Sequence, residues 1–442
     1  MKKILSLMLL VACCLMAGAQ EKIKVACVCN SITYGSGVAN REVNAYPVKL
    51  QGMLGDGYEV GNFGKPGATL LNKGHRPYTQ QQEYKDALAF AGDIVVIHLG
   101  INDTDPRNWP NYQDEFIGDY RALIQSFREV NPKARFLIAR MTPLSDRHWR
   151  YESGTRDWHE QIQEAIACVA RAEKVQMINF FEPLHPYPYI LEDNIHPNAE
   201  GAHMLAEIVY KGITGNYGGL KMSPFYTDNM VLQYGRDLLI QGMANAGEKV
   251  TLSIAGQKLR TTADTDGKWH VTLSPLKPGG PYTLKIEAGK KELVYNNVMA
   301  GEVWLCSGQS NMEMPMKGFY GQPVVGAMDY IIDADPLVPI RICNIAHEAA
   351  FEPKDDCKAT WYEHTPEGVS ESSAVAYFFA LRLYKALGIP VGVINTSWES
   401  TAIQAWMNRE LLDSEFAGEF DMTHFQTREL KGKRYPYNKP GV

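Results

Sequence analysis

Apolar and polar residues alternate in two different ways along this chain of 442 residues. From Lys22 to about Asn216, continuous apolar runs are separated by stretches in which apolar residues recur at helical spacing. Strands of a parallel sheet give such runs because helices cover both faces of the sheet. The first part of the chain is therefore predicted to be a series of βα units on a parallel sheet.

The individual elements of this first part follow from the same pattern. The predicted strands are Ile23–Cys29, Glu59–Phe63, Ile94–Leu99, Arg135–Ala139 and Val175–Phe180. The predicted helices are Ala45–Leu54, Glu115–Glu129, Trp158–Ala172 and Ala199–Gly212.

The pattern changes after the turn-rich segment Gly215–Gly219, where apolar and polar residues begin to alternate one by one. Short strands separated by Gly, Pro and Asp turns indicate a β-sandwich domain over residues 217–299. Its predicted strands are Val231–Gln233, Leu238–Gly242, Lys249–Ile254, Gln257–Thr262, Trp269–Leu273, Tyr282–Ala288 and Glu292–Val298.

A second, partial α/β domain is predicted over residues 300–442. A strand at Glu302–Cys306, a helix at Ala374–Leu387 and a strand at Pro390–Asn395 belong to it. Because the final segment Lys431–Val442 carries neither a strand nor a helix pattern, we expect the sequence to be a fragment of a longer protein. With residues 20–216 as the first domain, the chain is predicted to hold three domains.

The N-terminus has the features of a secretory signal peptide over residues 1–19. Two lysines precede an apolar run from Ile4 to Met16, and small residues follow it. The run is shorter than the roughly 20 residues that span a bilayer, so we expect no membrane span. The protein is expected to be secreted or periplasmic, with lipoprotein anchoring at Cys13 as the alternative, because Leu10–Cys13 resembles a lipobox.

Charge and cysteine content narrow the classes of partner. The formal net charge is −6 at pH 7, and no cluster of Lys and Arg offsets it locally. Phosphate backbones are therefore repelled, which argues against nucleic acid as a partner. The cysteines beyond the leader lack the close spacing of a zinc site or a dense disulfide framework. They are Cys27, Cys29, Cys168, Cys306, Cys343 and Cys357. The sequence leaves the oligomeric state open.

Candidate chemistry begins at Ser31, which directly follows the predicted strand Ile23–Cys29. The carboxyl ends of parallel strands are where such a sheet opens its active crevice. Asp193 and His196 stand three residues apart before the last helix, so the carboxylate can reach the inner imidazole nitrogen while the outer one faces a nucleophile. Each feature alone has a plainer interpretation, a helix cap for the serine and local loop hydrogen bonds for the pair.

Gly67 and Asn102 follow the second and third predicted strands, and are therefore expected at the same sheet edge. A side-chain amide can donate to a developing negative charge without titrating, and a glycine lets a backbone N–H approach closely. Turns are also the usual place for both residues. The joint occurrence of all these residues is what indicates an active site.

The order Ser31, Gly67, Asn102 and then Asp193-x-x-His196 resembles the SGNH, or GDSL-like, hydrolases. The resemblance covers Lys22 to about Gly212 and implies a flavodoxin-like α/β/α fold. It also implies that Ser31 is the nucleophile, His196 the general base and Asp193 its partner, with the oxyanion held by Gly67, Asn102 and the Ser31 N–H. Such a mechanism requires no metal and no organic cofactor.

One departure from the family pattern concerns the residues before the nucleophile. The usual Gly-Asp-Ser is Cys29-Asn30-Ser31 in this chain. Neither of the changed residues transfers a proton, so the departure raises the question of steric access to Ser31.

The segment Val303–Met312 resembles the nucleophile block of the sialate O-acetylesterase family, with Ser310 as the candidate nucleophile of the second α/β domain. Val393–Trp398 and Ala405-Trp406 also resemble that family, and the resemblance covers about Leu220 to Val442. The family has two glycines where this chain has Glu399-Ser400, and its acid and histidine come later in the chain. An inactive or incomplete second site is therefore the alternative interpretation.

Two esterase-like domains in a secreted chain predict a carbohydrate esterase that removes O-acetyl groups from sugars through an acyl-enzyme. A sialate O-acetylesterase is the first expectation, and an O-acetylated sugar or glycan is the expected partner. The alternatives are an esterase of xylan or another polysaccharide, a lipase, phospholipase or thioesterase, and a non-catalytic glycan-binding protein. Aromatic residues in predicted loops either stack on sugars or fill the core. They are Trp109, Tyr112, Trp149 and Tyr151.

Overall fold

The computed structural model describes residues 21–145, 148, 155–185, 187–348, 356–407, 411–412, 415–416 and 419. The predicted leader over residues 1–19, Cys13, Trp149, Tyr151 and the segment Lys431–Val442 lie outside these residues. The chain forms two compact units, one ending at Thr214 and the other beginning at Gly215.

The first unit is built on a sheet of parallel strands whose residues are largely buried. The strands are β1 (Ile23–Cys29), β2 (Tyr58–Gly64), β3 (Ile94–His98), β4 (Arg135–Arg140) and β5 (Gln176–Asn179). They lie in the order β2-β1-β3-β4-β5, and every pair is parallel. This is the order of flavodoxin-like sheets, as predicted, and it brings the loops that follow β1, β2 and β3 to one edge.

Helices connect these strands and bury their apolar faces against the sheet. The helices are Ser31–Tyr34, Arg41–Asn44, Tyr46–Leu54, Gln82–Phe90, Trp109–Tyr112, Phe116–Val130, Thr155–Glu173 and Ala199–Thr214. In Phe116–Val130 the buried residues include Phe116, Tyr120 and Phe127, which recur at helical spacing. The helix Gln82–Phe90 was missed by the sequence analysis, because only Ala87 is fully buried and the apolar period is weak.

The second unit is rich in β-strands. Its strands are β6 (Val231–Gln233), β7 (Leu238–Met243), β8 (Lys249–Ile254), β9 (Gln257–Thr262), β10 (Lys268–Leu273), β11 (Gly279–Ala288), β12 (Lys291–Gly308), β13 (Ile340–Ile345), β14 (Ala359–Tyr362) and β15 (Val391–Ser397). β7 pairs with β10, while the larger sheet has the order β14-β13-β15-β12-β11-β8-β9, with β6 on β12. Its helices are Ser310–Glu313, Ala327–Ile332, Pro366–Glu371 and Ala374–Leu387.

The long strand β12 belongs to both predicted domains of the second unit. Its first half pairs antiparallel with β11, and its second half, Glu302–Gly308, pairs parallel with β15. The domain boundary predicted between residues 299 and 300 therefore falls inside a continuous strand, and the division into a β-sandwich and a separate α/β domain stays a prediction.

Among the residues that the structure describes, no helix combines the length and the apolar character that crossing a bilayer requires.

Candidate active site

Ser31 begins a short helix at the carboxyl end of β1. Its side chain is largely buried, with an exposed fraction of 6%. The preceding Asn30 caps this helix, since its Oδ1 accepts the N–H of Ile32 at 3.0 Å. An asparagine carbonyl thus supplies the side-chain oxygen that an N-cap needs, as an aspartate at this position also could.

Cys29, the other departure from the family pattern, is fully buried against β3. Its Sγ lies 3.3 Å from Nδ1 of His98 and donates to the His98 carbonyl oxygen. Burial raises the pKa of this thiol to about 12. The thiol is therefore a neutral packing group that fills the space between two neighbouring strands.

Ser31, His196 and Asp193 form a continuous line of hydrogen bonds, although they come from opposite ends of the unit. The His196 Nε2 atom lies 2.8 Å from Oγ of Ser31, and its Nδ1 atom lies 2.6 Å from Oδ2 of Asp193. A carboxylate on Nδ1 keeps the proton on that nitrogen, and Nε2 is then free to accept the hydroxyl proton.

The carboxylate of Asp193 is held in its charged form. Partial burial works to raise its pKa, but hydrogen bonds from the ring and the backbone N–H of His196 keep that pKa below its usual value. Its Oδ1 accepts the backbone N–H groups of Ile195 at 3.1 Å and of His196 at 2.7 Å. The turn thus positions the carboxylate and the imidazole together.

Gly67 lies in the loop after β2, with a positive φ of +76°. This loop is joined to the one that carries Ser31, because the Lys65 N–H donates to the Cys29 carbonyl at 2.9 Å. In the described part of the chain, no acceptor is assigned to the Gly67 N–H. It is thus a donor of the kind that an oxyanion requires.

Asn102 follows β3 and joins the same group of loops. Its Nδ2 donates to the Ala68 carbonyl at 3.0 Å, and the side chain is buried, with 7% exposed. A primary amide has two N–H bonds, so this contact orients the second one. The loops bearing Ser31, Gly67 and Asn102 are therefore connected, as the sequence predicts for the ends of adjacent parallel strands.

Ser310 of the second unit is placed differently. It lies after β12, and its Oγ donates to Oε1 of Gln309 at 3.0 Å. The backbone N–H of Glu399, in the segment where the family has two glycines, donates to the carboxylate of Glu313. That carboxylate also lies 3.3 Å from Nε2 of His347. The N–H at the first of these two positions is thus already paired with a carboxylate.

A comparison with protein families fits the geometry of the first unit. Residues 30–204 match the model of the GDSL-like Lipase/Acylhydrolase family. These residues form a GDSL-like domain. Both resemblances predicted from the sequence, to GDSL-like hydrolases and to the sialate O-acetylesterase family, are confirmed by the matches found.

Relatives of the chain include two named esterases. The chain is similar to an acetylxylan esterase of Xylanibacter ruminicola, with 37% identity over 45% of this chain and 44% of that protein. It is also similar to a sialate O-acetylesterase of Rattus norvegicus, with 29% identity over 47% of this chain and 41% of that protein. The chain spans less than half the length of these relatives.

A solved structure with likeness to the chain is a carbohydrate acetylesterase from Xanthomonas citri. It shares 29% sequence identity over 44% of each chain, with a TM-score of 0.42.

Two residues of the GDSL-like domain that the sequence analysis did not single out hold this site together. The buried carboxylate of Asp103 accepts the N–H groups of Leu70 at 2.9 Å and Leu71 at 2.8 Å. Burial raises its pKa to about 7, against the lowering effect of these two amides. Asp103 thereby fixes the segment that follows Gly67, and its place directly after Asn102 was the only signal in the sequence.

Gly37 is the second such residue. A β-carbon added to Gly37 would lie 2.8 Å from the β-carbon of His196, so the glycine allows a close approach of its loop to the imidazole. Nothing in the sequence pattern indicates this contact, because the two residues are distant along the chain.

Of the aromatic residues predicted either to stack on sugars or to fill the core, Trp109 and Tyr112 lie among the described residues. Trp109 is buried in the core of the GDSL-like domain, and its Nε1 donates to Oε1 of Gln161 at 2.7 Å. Tyr112 is partly buried against the same core. Trp109 therefore belongs to the core and not to a sugar-stacking surface.

Proposed function

We propose that the GDSL-like domain is a serine-dependent esterase that removes O-acetyl groups from sugars. The observation that carries the proposal is the line of contacts from Asp193 through His196 to Ser31, with distances of 2.6 and 2.8 Å. A serine hydroxyl is a weak nucleophile at neutral pH, and a neutral imidazole within hydrogen-bond distance of its oxygen activates it.

In the proposed first half-reaction, the Ser31 oxygen attacks the ester carbonyl carbon while its proton passes to Nε2 of His196. The tetrahedral intermediate carries a negative oxygen, for which the Gly67 N–H, the second Asn102 N–H and the Ser31 N–H are the proposed donors. The imidazolium then gives its proton to the departing sugar oxygen. Asp193 stabilises the imidazolium without taking the proton.

In the second half-reaction water attacks the acetyl group on Ser31 and gives one proton to Nε2 of His196. The Ser31 oxygen leaves and regains that proton, and acetate is released. The same donors hold the second oxyanion, so one set of groups serves both steps.

The sugar substrate is proposed from the relatives. One relative is named an acetylxylan esterase at 37% identity, and another is named a sialate O-acetylesterase at 29% identity. Both names describe hydrolysis of O-acetyl esters on sugars, which supports that substrate class for this chain. Within the class, O-acetylated sialic acid is our proposed substrate and acetylated xylan the alternative, and the two are assayed side by side.

The test compares Ser31→Ala, His196→Ala and the unchanged chain on p-nitrophenyl acetate and on both acetylated sugars. We expect Ser31→Ala to abolish release of acetate, and His196→Ala to lower kcat at least 10³-fold with a nearly unchanged melting temperature. Undiminished activity of Ser31→Ala would refute the assignment.

Three further experiments divide the remaining alternatives. Ser310→Ala is the matched serine variant of the second unit, and it keeps full activity if the GDSL-like domain performs the reaction. Rates that rise from acetate to octanoate esters favour a lipase instead of a sugar esterase. A fluorophosphonate that leaves Ser31 unlabelled indicates a non-catalytic glycan-binding protein.

We also propose that residues 1–19 direct export of the chain, with the sequence features of a signal peptide as support. N-terminal sequencing of the protein after expression in a Gram-negative host tests this. A mature N-terminus at Gln20 supports export with cleavage, and a lipid-modified Cys13 supports anchoring.

A further inference from the structure

The loop that carries Gly67 is a tight turn of four residues, Lys65–Ala68. The Ala68 N–H donates to the Lys65 carbonyl at 3.1 Å, which closes the turn. Pro66 stands at its second position and Gly67 at its third, with a φ of +76°. Proline at the second position and a glycine of positive φ at the third are the signature of a type II turn.

The central peptide of this turn contains the carbonyl of Pro66 and the N–H of Gly67. In a trans peptide these two groups point in opposite directions. Type I and type II turns differ in the rotation of this central peptide, and proline is accepted at the second position of both. Glycine adopts either sign of φ, so the turn residues alone do not determine where the Gly67 N–H points.

Arg76 contacts the carbonyl side of this peptide. Its Nη1 donates to the Pro66 carbonyl at 2.9 Å. A β-carbon added to Gly67 would lie 3.1 Å from the same Nη1, so the guanidinium packs directly on the glycine. Among residues 21–145 and the other residues described, Arg76 forms no ion pair with a carboxylate.

The backbone around Arg76 is itself fixed. The Thr69 N–H donates to the Arg76 carbonyl at 2.9 Å, and the Tyr78 N–H donates to the Thr69 carbonyl at 2.9 Å. The segment after the turn thus folds back beside it, which explains how a residue ten positions beyond Pro66 reaches its carbonyl.

We propose that Arg76 is a positioning residue of the oxyanion site, an inference that rests on the proposed function. By binding the Pro66 carbonyl it holds the central peptide in the type II orientation, with the Gly67 N–H directed away from the guanidinium. A charged donor on the carbonyl also makes the N–H of the same peptide a stronger donor. The turn contacts both neighbouring parts of the proposed oxyanion site, since its Lys65 N–H donates to the carbonyl of Cys29, two residues before Ser31, and its Ala68 carbonyl accepts Nδ2 of Asn102.

The test measures kcat and KM for p-nitrophenyl acetate with the full chain carrying Arg76→Met, Arg76→Gln or Arg76→Lys. We expect Arg76→Met to lower kcat about 10- to 100-fold with KM changed less than twofold, because the oxyanion forms only after substrate has bound. Arg76→Lys, which keeps a charged donor, should recover part of kcat, and Arg76→Gln should fall between Lys and Met.

A second readout reports on the oxyanion site without turnover. Diethyl p-nitrophenyl phosphate places a phosphoryl oxygen where the oxyanion would lie, so its rate of reaction with Ser31 should fall in parallel with kcat. The pH dependence of kcat should keep its midpoint, because proton transfer between Ser31 and His196 is unchanged. Arg171→Met is the matched control, since Arg171 lies near the end of the helix Thr155–Glu173, before β5 and so toward the opposite sheet edge.

The outcomes separate the two proposals. An unchanged chain that hydrolyses no ester overturns the proposed function. An active unchanged chain, together with an Arg76→Met variant that keeps kcat and the phosphorylation rate, overturns the role of Arg76 alone. If Arg76→Met does not fold, the folded Lys and Gln variants decide, and equal kcat values in these two and the unchanged chain likewise overturn it. Equal losses in Arg76→Met and Arg171→Met also count against it.

Discussion

Gly37 lies against His196 so closely that a β-carbon on the glycine would stand 2.8 Å from the β-carbon of the histidine. Real β-carbons do not approach so closely, so a side chain at position 37 must move the imidazole or its own loop. The position of His196 relative to Ser31 therefore depends on the absence of a side chain in a loop that carries no reacting group.

We expect Gly37→Ala to lower kcat about 10-fold or more, because a displacement of the imidazole of about 1 Å misaligns proton transfer. Gly55→Ala is the matched control. Gly55 also has a positive φ, +73° against +80° for Gly37, but nothing lies within 4 Å of an added β-carbon. Both variants should lose stability from the backbone conformation, by about 1–3 kcal/mol at Gly55, whose φ of +73° and ψ of −166° lie in a region essentially confined to glycine. Only Gly37→Ala should lose kcat. Equal kcat values in the two variants would contradict this.

Asp193→Asn tests whether the carboxylate of Asp193 orients the imidazole of His196. The amide presents a donor or a weak acceptor to Nδ1 of His196, so the ring loses its preference for the tautomer that leaves Nε2 free. We expect kcat to fall about 10³- to 10⁴-fold, with KM little changed. Glu192→Gln, an equal change at the neighbouring exposed carboxylate, should keep the activity of the unchanged chain. A loss of less than tenfold in Asp193→Asn means that Asp193 does not orient the base.

The strands β1, β3 and β4 were predictable because burial on both faces leaves apolar runs that are visible without any partner. The helix Gln82–Phe90 was not, since it buries a single residue fully and turns the rest toward partly solvated surroundings. Apolar residues recur at helical spacing only where one face of the helix is buried, so a weakly buried helix gives a weak pattern.

Some residues of the site were also predictable from the sequence, and others were not. Asp193 and His196 were found because both belong to one turn, and Ser31 because it follows a buried strand. Gly37 contacts His196 from a distant loop, and Arg76 reaches the Pro66 carbonyl only because the chain folds back after the turn, so no local spacing indicates either residue. Sequence spacing therefore reveals the groups proposed to react, and the structure is required to find those that position them.

Because His98 is buried, we expect the folded protein to lose stability in acid. Burial, with the nearby His159, lowers its pKa to about 3, whereas an unfolded chain has a histidine pKa of about 6.5. The folded state thus disfavours the protonated imidazole. The contribution of His98 to the free energy of unfolding is therefore complete above pH 6.5 and declines as the pH falls toward 3. At pH 5 the loss is about 2 kcal/mol.

Hydrogen exchange of the β3 peptide, measured by mass spectrometry at pH 5 and pH 8 and corrected for intrinsic rates, checks this prediction. His98→Gln cannot gain a proton, so its opening free energy should change less between the two pH values than that of the unchanged chain. His203→Gln, at an exposed histidine of the helix Ala199–Thr214, should keep the original dependence. The same pH dependence in all three proteins would show that His98 is not responsible.

For Asp103 we expect stability to depend on pH with the opposite sign. Burial raises its pKa to about 7 despite two backbone amides, so the folded state favours the protonated carboxyl. Its contribution to stability is greatest below the unfolded pKa of about 3.8 and is lost as the pH rises toward 7, by about 3 kcal/mol between pH 5 and pH 8.

An asparagine at position 103 does not titrate and so has no such pH-dependent cost, but its NH₂ group meets one of the two backbone N–H groups that donate to Asp103. Asp103→Asn should therefore be destabilising at pH 5 and become less so by pH 8. Asp119→Asn also removes an acceptor of this loop, since Asp119 accepts the Asn72 N–H at 2.8 Å. Because the charge of Asp119 helps to raise the pKa of Asp103, this variant should keep the pH dependence but shift it to lower pH. Hydrogen exchange of the peptide containing Leu70 and Leu71 measures the stability of both variants. If the difference in stability between Asp103→Asn and the unchanged chain does not vary with pH, Asp103 does not titrate in this range.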